Sequence, residues 1–228
     1  LSGCGDSSAD EKKEQPAPQV DCPRLELESL DDCTFDEELH FGMPETVERY
    51  CASSCQRVLS LDATGPGDGL RASRDLNILA RVDEFPSIVT IFNMEYLKNV
   101  NGLESVRHIG DGLHIQLNPE LQNLEGLTSL ESVAMGDSPQ SDMYLYGNPK
   151  LETLEGLESL KEVGMALIID EHANLRSIEA LESLEQVKAL KITDNPKLPT
   201  CQAEALAERL GLPDDKVEIR GNGTGSCE

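Results

Sequence analysis

The sequence predicts a mainly β chain wound as a leucine-rich solenoid around one parallel sheet. Three observations predict it: one phrase recurs at steps of 23 to 30 residues, its apolar residues fall three apart, and each copy opens on a short alternating run. The clearest copy contains LYGNPKLETLEGLESLKEV, Leu145 to Val163, with apolar residues at 151, 154, 157, 160 and 163. Leu, Glu and Lys favour helices. A helix turns by about 100° per residue, however, so a row of period three drifts round the cylinder and gives no single apolar face.

The copies start at Val89 (VTIFNMEYLKNVNGLESVRHI), Leu113 (LHIQLNPELQNLEGLTSLESV), Met143 (MYLYGNPKLETLEGLESLKEV), Leu167 (LIIDEHANLRSIEALESLEQV) and Leu190 (LKITDNPKLPTC). VEIRGNGTGSC from Val217 begins a last one. Counting the first residue as zero, apolar side chains take offsets 0, 2, 8, 11, 14, 17 and 20 of the full copies. Offsets 0 and 2 are the inward side chains of a short strand, Asn-Pro is a turn, and the period-three part bends round the remaining sides. Such a unit cannot bury its own apolar row, so it stacks on its neighbours with strands about 4.8 Å apart. Asn118, Asn148, Asn195 and Asn222, all at offset 5, should form a ladder that satisfies backbone groups at the bend. Met94 and His172 take that slot in two copies, and His172 is read as a turn substitution rather than a ligand. The loop ATGPGDGLRASRDLN, Ala63 to Asn77, aligns with no copy.

Composition agrees. A chain of 228 residues with 38% hydrophobic and 27% charged residues can fold around one sizeable core. With four Phe, four Tyr and no Trp, that core must be aliphatic. A net charge of −24 repels phosphate backbones and anionic lipid surfaces, which argues against nucleic-acid binding.

The rhythm L-x-I-x-x-N-P-x-L-x-x-L-x-G-L-x-x-L-x-x-V resembles the receptor L domain, the leucine-rich β-helix of insulin-type and epidermal-growth-factor-type receptor ectodomains. The resemblance covers residues 22–228, and LDDCTFDEELHF, Leu30 to Phe41, is similar to the family's opening, in which a Cys leads into the first strand. It implies a mainly β, right-handed parallel β-helix with a short N-terminal helical cap and a C-terminal helix. On this reading residues 1–21 are a tether, 22–57 the N-terminal cap, 58–200 the repeats and 201–228 the C-terminal cap. MGDSPQSD in the copy from Leu113 departs from the family pattern as an insertion.

LSGC, Leu1 to Cys4, resembles a bacterial lipobox, which implies a lipid on Cys4 and an envelope address; Gly5 favours the outer membrane over the inner. Residues 5–21 are charged and Pro-bearing, as a flexible linker is. Of seven Cys, six remain after Cys4, an even number suited to an oxidising compartment. Cys201 at offset 11 and Cys227 at offset 10 of the next copy should pair across adjacent repeats. Cys22, Cys33, Cys51 and Cys55 then staple the other end, where PETVERYCASSCQ reads as a capping helix. Either 22–33 with 51–55 or 22–51 with 33–55 would serve, and the spacing does not suit zinc.

Function is expected on the exposed side of the sheet. Offset 1 places Thr90, His114, Tyr144, Ile168 and Lys191 in one outward row, and offset 3 places Phe92, Gln116, Tyr146, Asp170 and Thr193 in the next. Aromatic residues beside a His and an Asp on a rigid surface suit a protein-binding or glycan-binding face. Aromatic and β-branched residues also simply favour exposed strands. The ligand-binding candidates are Phe92, His114, Gln116, Tyr144, Tyr146, Ile168, Asp170 and Lys191. No catalytic residue, metal or cofactor is expected: His40, His108, His114 and His172 fall in different copies and offsets, and Asp170 with Lys191 reads as a cross-strand ion pair. A structural or adhesion role is the alternative, and a polysaccharide-acting enzyme a distant one.

Overall fold

The structure is a computed structural model that describes residues 31–40, 49–51, 53, 55–64, 73–134 and 141–227. The chain is mainly β. Its strands, numbered in chain order, are β1 (Asp31–His40), β2 (Cys55–Thr64), β3 (Glu84–Phe85), β4 (Val89–Phe92), β5 (His108–Ile109), β6 (Leu113–Gln116), β7 (Ser132–Val133), β8 (Met143–Tyr146), β9 (Glu162–Asp170), β10 (Gln186–Thr193) and β11 (Val217–Arg220). A helix, α1 (Thr200–Arg209), lies near the C-terminal end, where a helix was expected. Residues 49–51 of the expected capping helix are helical; the rest of that segment, the tether with Cys4, and Cys22 lie outside the described residues.

All eleven strands belong to one sheet, and every pairing is parallel. β2, β9 and β10 are long and belong to two rows of strands. One row runs β2-β4-β6-β8-β9-β10-β11 and the other β2-β3-β5-β7-β9-β10. The repeat explains this: offsets 0 to 3 make the first row, offsets 19 and 20 make the second, and the join stays extended in 162–170 and 186–193. Along β4, β6 and β8 the burial alternates inward and outward, residue by residue. The inward side chains at all seven offsets form a single core, for example Met143, Leu145, Leu151, Leu154, Leu157, Leu160 and Val163.

Two further repeats precede the ones read from sequence. Leu39 pairs with Leu61 and Leu61 with Val89, so both stand at offset 0. Leu76, Leu79, Val82 and Phe85 are buried as the period-three row of the repeat from Leu61. The loop that resisted alignment is thus a repeat whose middle is lengthened, and the parallel ladder reaches back to Asp31 within the stretch expected to cap the fold.

The asparagine ladder is present and continuous. Oδ1 of Asn118 accepts the Met94 N–H at 2.9 Å, Asn148 accepts that of Asn118 at 2.9 Å, Asn195 that of His172 at 2.9 Å, and Asn222 that of Asn195 at 3.2 Å. Each Asn Nδ2 donates to the offset-2 carbonyl of the repeat before, as Asn148 does to Ile115 at 2.9 Å. Two buried backbone groups per turn are satisfied in this way, which removes a desolvation penalty of about 1–3 kcal/mol for each group.

Just before the ladder, offset 4 is left-handed in every repeat from Val89 on: φ is 54° at Asn93, 54° at Leu117, 62° at Gly147, 59° at Glu171, 56° at Asp194 and 68° at Gly221. Gly and Asn adopt this region readily, whereas a Leu there is strained by roughly 1–2 kcal/mol. Leu117 is also 40% exposed, so little burial offsets the strain. Leu117→Asn should therefore raise stability by about 1 kcal/mol, read as a higher urea midpoint. A lower midpoint would show that its contact over Gly147 outweighs the strain.

Candidate functional site

The parallel register builds the outward face as expected from the repeat. Thr90, His114, Tyr144, Ile168 and Lys191 are successive register partners, continuing to Asp62 on one side and Glu218 on the other. Phe92, Gln116, Tyr146, Asp170, Thr193 and Arg220 form the parallel row. All eight candidate binding residues thus share one face of adjacent strands.

Two residues read as exposed are not. Asp170 is 7% exposed and Thr193 0%. Both are short side chains standing in a row between the long Tyr146 and Arg220, and they bond to each other, Thr193 Oγ1 donating to Asp170 Oδ1 at 2.5 Å. Lys191 Nζ lies 3.2 Å from the other carboxylate oxygen. The expected Asp170–Lys191 ion pair is present, and it crosses the strands diagonally because Ile168 is the direct partner of Lys191. A paired, covered carboxylate supports the surface from below rather than meeting a ligand.

The rings are organised. Tyr144 and Tyr146 stack at 27° with centroids 5.6 Å apart, and His114 stands edge-on to Tyr144 at 87° and 6.2 Å. Tyr146 donates its hydroxyl to Glu171 Oε2 at 3.0 Å, and this bond raises its pKa above the ordinary phenol value. Partial burial, followed by the nearby Asp170 carboxylate, raises that of Tyr144. Both phenols are neutral donors over the physiological range. Glu171 and Asp194, at offset 4, form the rim of the face, and Asp194 is held by Arg220 at 2.7 Å. The outward rows read from the sequence stop at offset 3 and so miss Glu171; its place one residue beyond the row of Tyr146 is the signal that could have found it.

The second row of strands differs in kind. Its outward residues are Arg57, Glu84, His108, Ser132, Glu162 and Gln186, all polar. Beside them Glu131 sits between Arg107 at 2.7 Å and Lys161 at 3.5 Å, and Arg107 foremost lowers its pKa. The register also brings His108 Nδ1 within 2.9 Å of Ser132 Oγ; both stand at offset 19 of successive copies, a position left out of the outward rows read from the sequence. Glu84, their neighbour in register, instead lies 3.7 Å from Arg57 and completes no Ser-His-acid relay with them. Among the described residues no group of three or more His, Cys, Asp or Glu is arranged to hold a metal ion.

Cys201 and Cys227 are joined in a disulfide with Cα atoms 6.1 Å apart, as the offsets required. Cys51 is also disulfide-bonded, while the side chains of Cys33 and Cys55 lie outside the described residues. No described helix is long and apolar enough to cross a membrane. Compared with protein-family models, with curated proteins and with solved structures, the chain matches none.

Proposed function

We propose that the chain is a right-handed β-helix, a leucine-rich solenoid of the receptor L-domain type, that works as a recognition module of a bacterial cell envelope. On this reading the lipobox-like LSGC supports a lipid anchor on Cys4, and Gly5 after it favours the outer membrane. The outward face of β4, β6, β8, β9 and β10 binds a protein or glycan partner. The contrast between the two rows carries this reading. Strand propensity acts equally on both rows, yet Phe92, Tyr144 and Tyr146 lie on one, and among the described residues no Phe or Tyr faces outward on the other, where a single His108 stands. Aromatic side chains concentrated on one rigid face are the usual composition of a binding surface.

The test is capture of partners from envelope extract by the chain and by its Tyr144→Ala, Tyr146→Ala double variant, with thermal melting as the folding check. The expected result is a partner retained by the parent and lost by the variant. Equal capture by both moves the site off this face. Capture by neither, together with concentration-dependent self-association that ignores the tyrosines, favours the structural or adhesion role.

A further inference from the structure

Resting on that reading of the face, we propose that the group recognised there is cationic: an arginine or lysine side chain of a partner polypeptide, seated against the Tyr144 and Tyr146 rings with Glu171 as its counter-charge. Three observations carry it. First, the rings of Tyr144 and Tyr146 stack at 27°, and His114 stands edge-on to Tyr144 at 87°, so π-surfaces turn a corner at the centre of the face. Cations are attracted to ring faces, and perpendicular rings offer them more than one. Second, the two bases of the face are occupied: Lys191 lies against Asp170, and Arg220 against both Asp194 and Glu218. Third, the Glu171 carboxylate meets a neutral phenol and has no ion pair among the described residues, so its negative charge at the edge of the ring pair is uncompensated. A phosphate or sulfate group would meet this rim unfavourably. A neutral glycan could stack on the rings but would gain nothing from the charge. The net charge of −24 also steers a basic partner toward the molecule, though not to one face of it.

The experiment is calorimetric titration of the whole chain with a peptide of four Arg-Ser repeats and with its citrulline counterpart, which keeps the shape and loses the charge. It is run at about 0.15 M salt, where long-range attraction is screened. Saturable binding of the arginine peptide is expected, weakened about tenfold or more in the citrulline peptide and by Glu171→Gln. A Glu204→Gln, Glu208→Gln variant, which removes two exposed acids of α1, should bind as the parent does. Absence of binding, equal binding of the citrulline peptide, or equal losses in the Glu171 and α1 variants would each overturn the proposal. If the peptide fails while envelope capture still depends on Tyr144 and Tyr146, the cationic ligand is wrong and the face stands. If capture ignores the tyrosines, the face itself is wrong.

Discussion

Between pH 6.5 and 4 the parent chain should lose about 3 kcal/mol of folding stability that a His172→Asn variant retains. His172 occupies the offset-5 slot, fully buried, in place of the asparagine found in its neighbours. Its Nδ1 lies 3.2 Å from the Asn148 N–H and 3.3 Å from the Asn148 carbonyl oxygen, and its buried Nε2 meets no hydrogen-bond partner among the described residues. Burial, the largest influence, lowers its pKa from 6.5 to about 4, against opposing contributions from the backbone of Asn148 and of Leu145 and then from the nearby Asp170. The unfolded chain therefore takes up the proton first as the pH falls. Stability is fully present above pH 6.5, falls through the window down to about 4, and levels off below the folded value as far as this group is concerned. Asparagine has no such titration and offers an Nδ2 donor, as in the neighbouring repeats. Urea unfolding of both proteins across this window isolates the histidine, because the carboxylates are common to the two. Parallel curves would show that His172 is protonated in the fold.

Gly156→Ala should destabilise the chain by about 3 kcal/mol or more. Gly156 stands at offset 13 with φ of 111°, and a Cβ there would lie 1.9 Å from the Leu124 carbonyl oxygen and 2.8 Å from the Glu125 nitrogen, both in the adjacent repeat. Backbone is the obstacle, so no rotamer change relieves it. Gly102 and Gly126 meet the preceding repeat in the same way. At this offset the leucine row turns and the next turn of chain packs against its carbonyl. Ala180 holds the same offset in the repeat from Leu167 without a positive φ, and Ala180→Gly should lower stability only by about 0.5–1 kcal/mol. Similar unfolding midpoints for the two variants would contradict this account of the packing.

Much of this was legible in the repeat because the offsets fix geometry directly. Once Leu113, Met143 and Leu167 share a phrase, parallel stacking places His114 beside Tyr144 and Tyr144 beside Ile168 without further information. The Asn ladder and the Cys201–Cys227 bridge follow from the same arithmetic. What was hidden depends on neighbours of unequal size or on copies stretched out of phase. Alternation predicts that Asp170 and Thr193 point outward, but it does not weigh the long side chains on either side that cover them. The repeat from Leu61 was obscured because its buried row at Leu76, Leu79, Val82 and Phe85 is shifted along the chain, and Leu39 shows its offset only through its pairing with Leu61. Glu171 was passed over because alternation was followed only to offset 3, although the side chain at offset 4 reaches Tyr146.

Hydrogen–deuterium exchange of the chain, alone and saturated with the partner it captures, is the most direct test that the aromatic face is the site of recognition. The account expects protection concentrated in β4, β6, β8 and β9, together with the rim at 170–171, and little change in β3, β5 and β7. Protection centred on the second row of strands, or on α1, would contradict it.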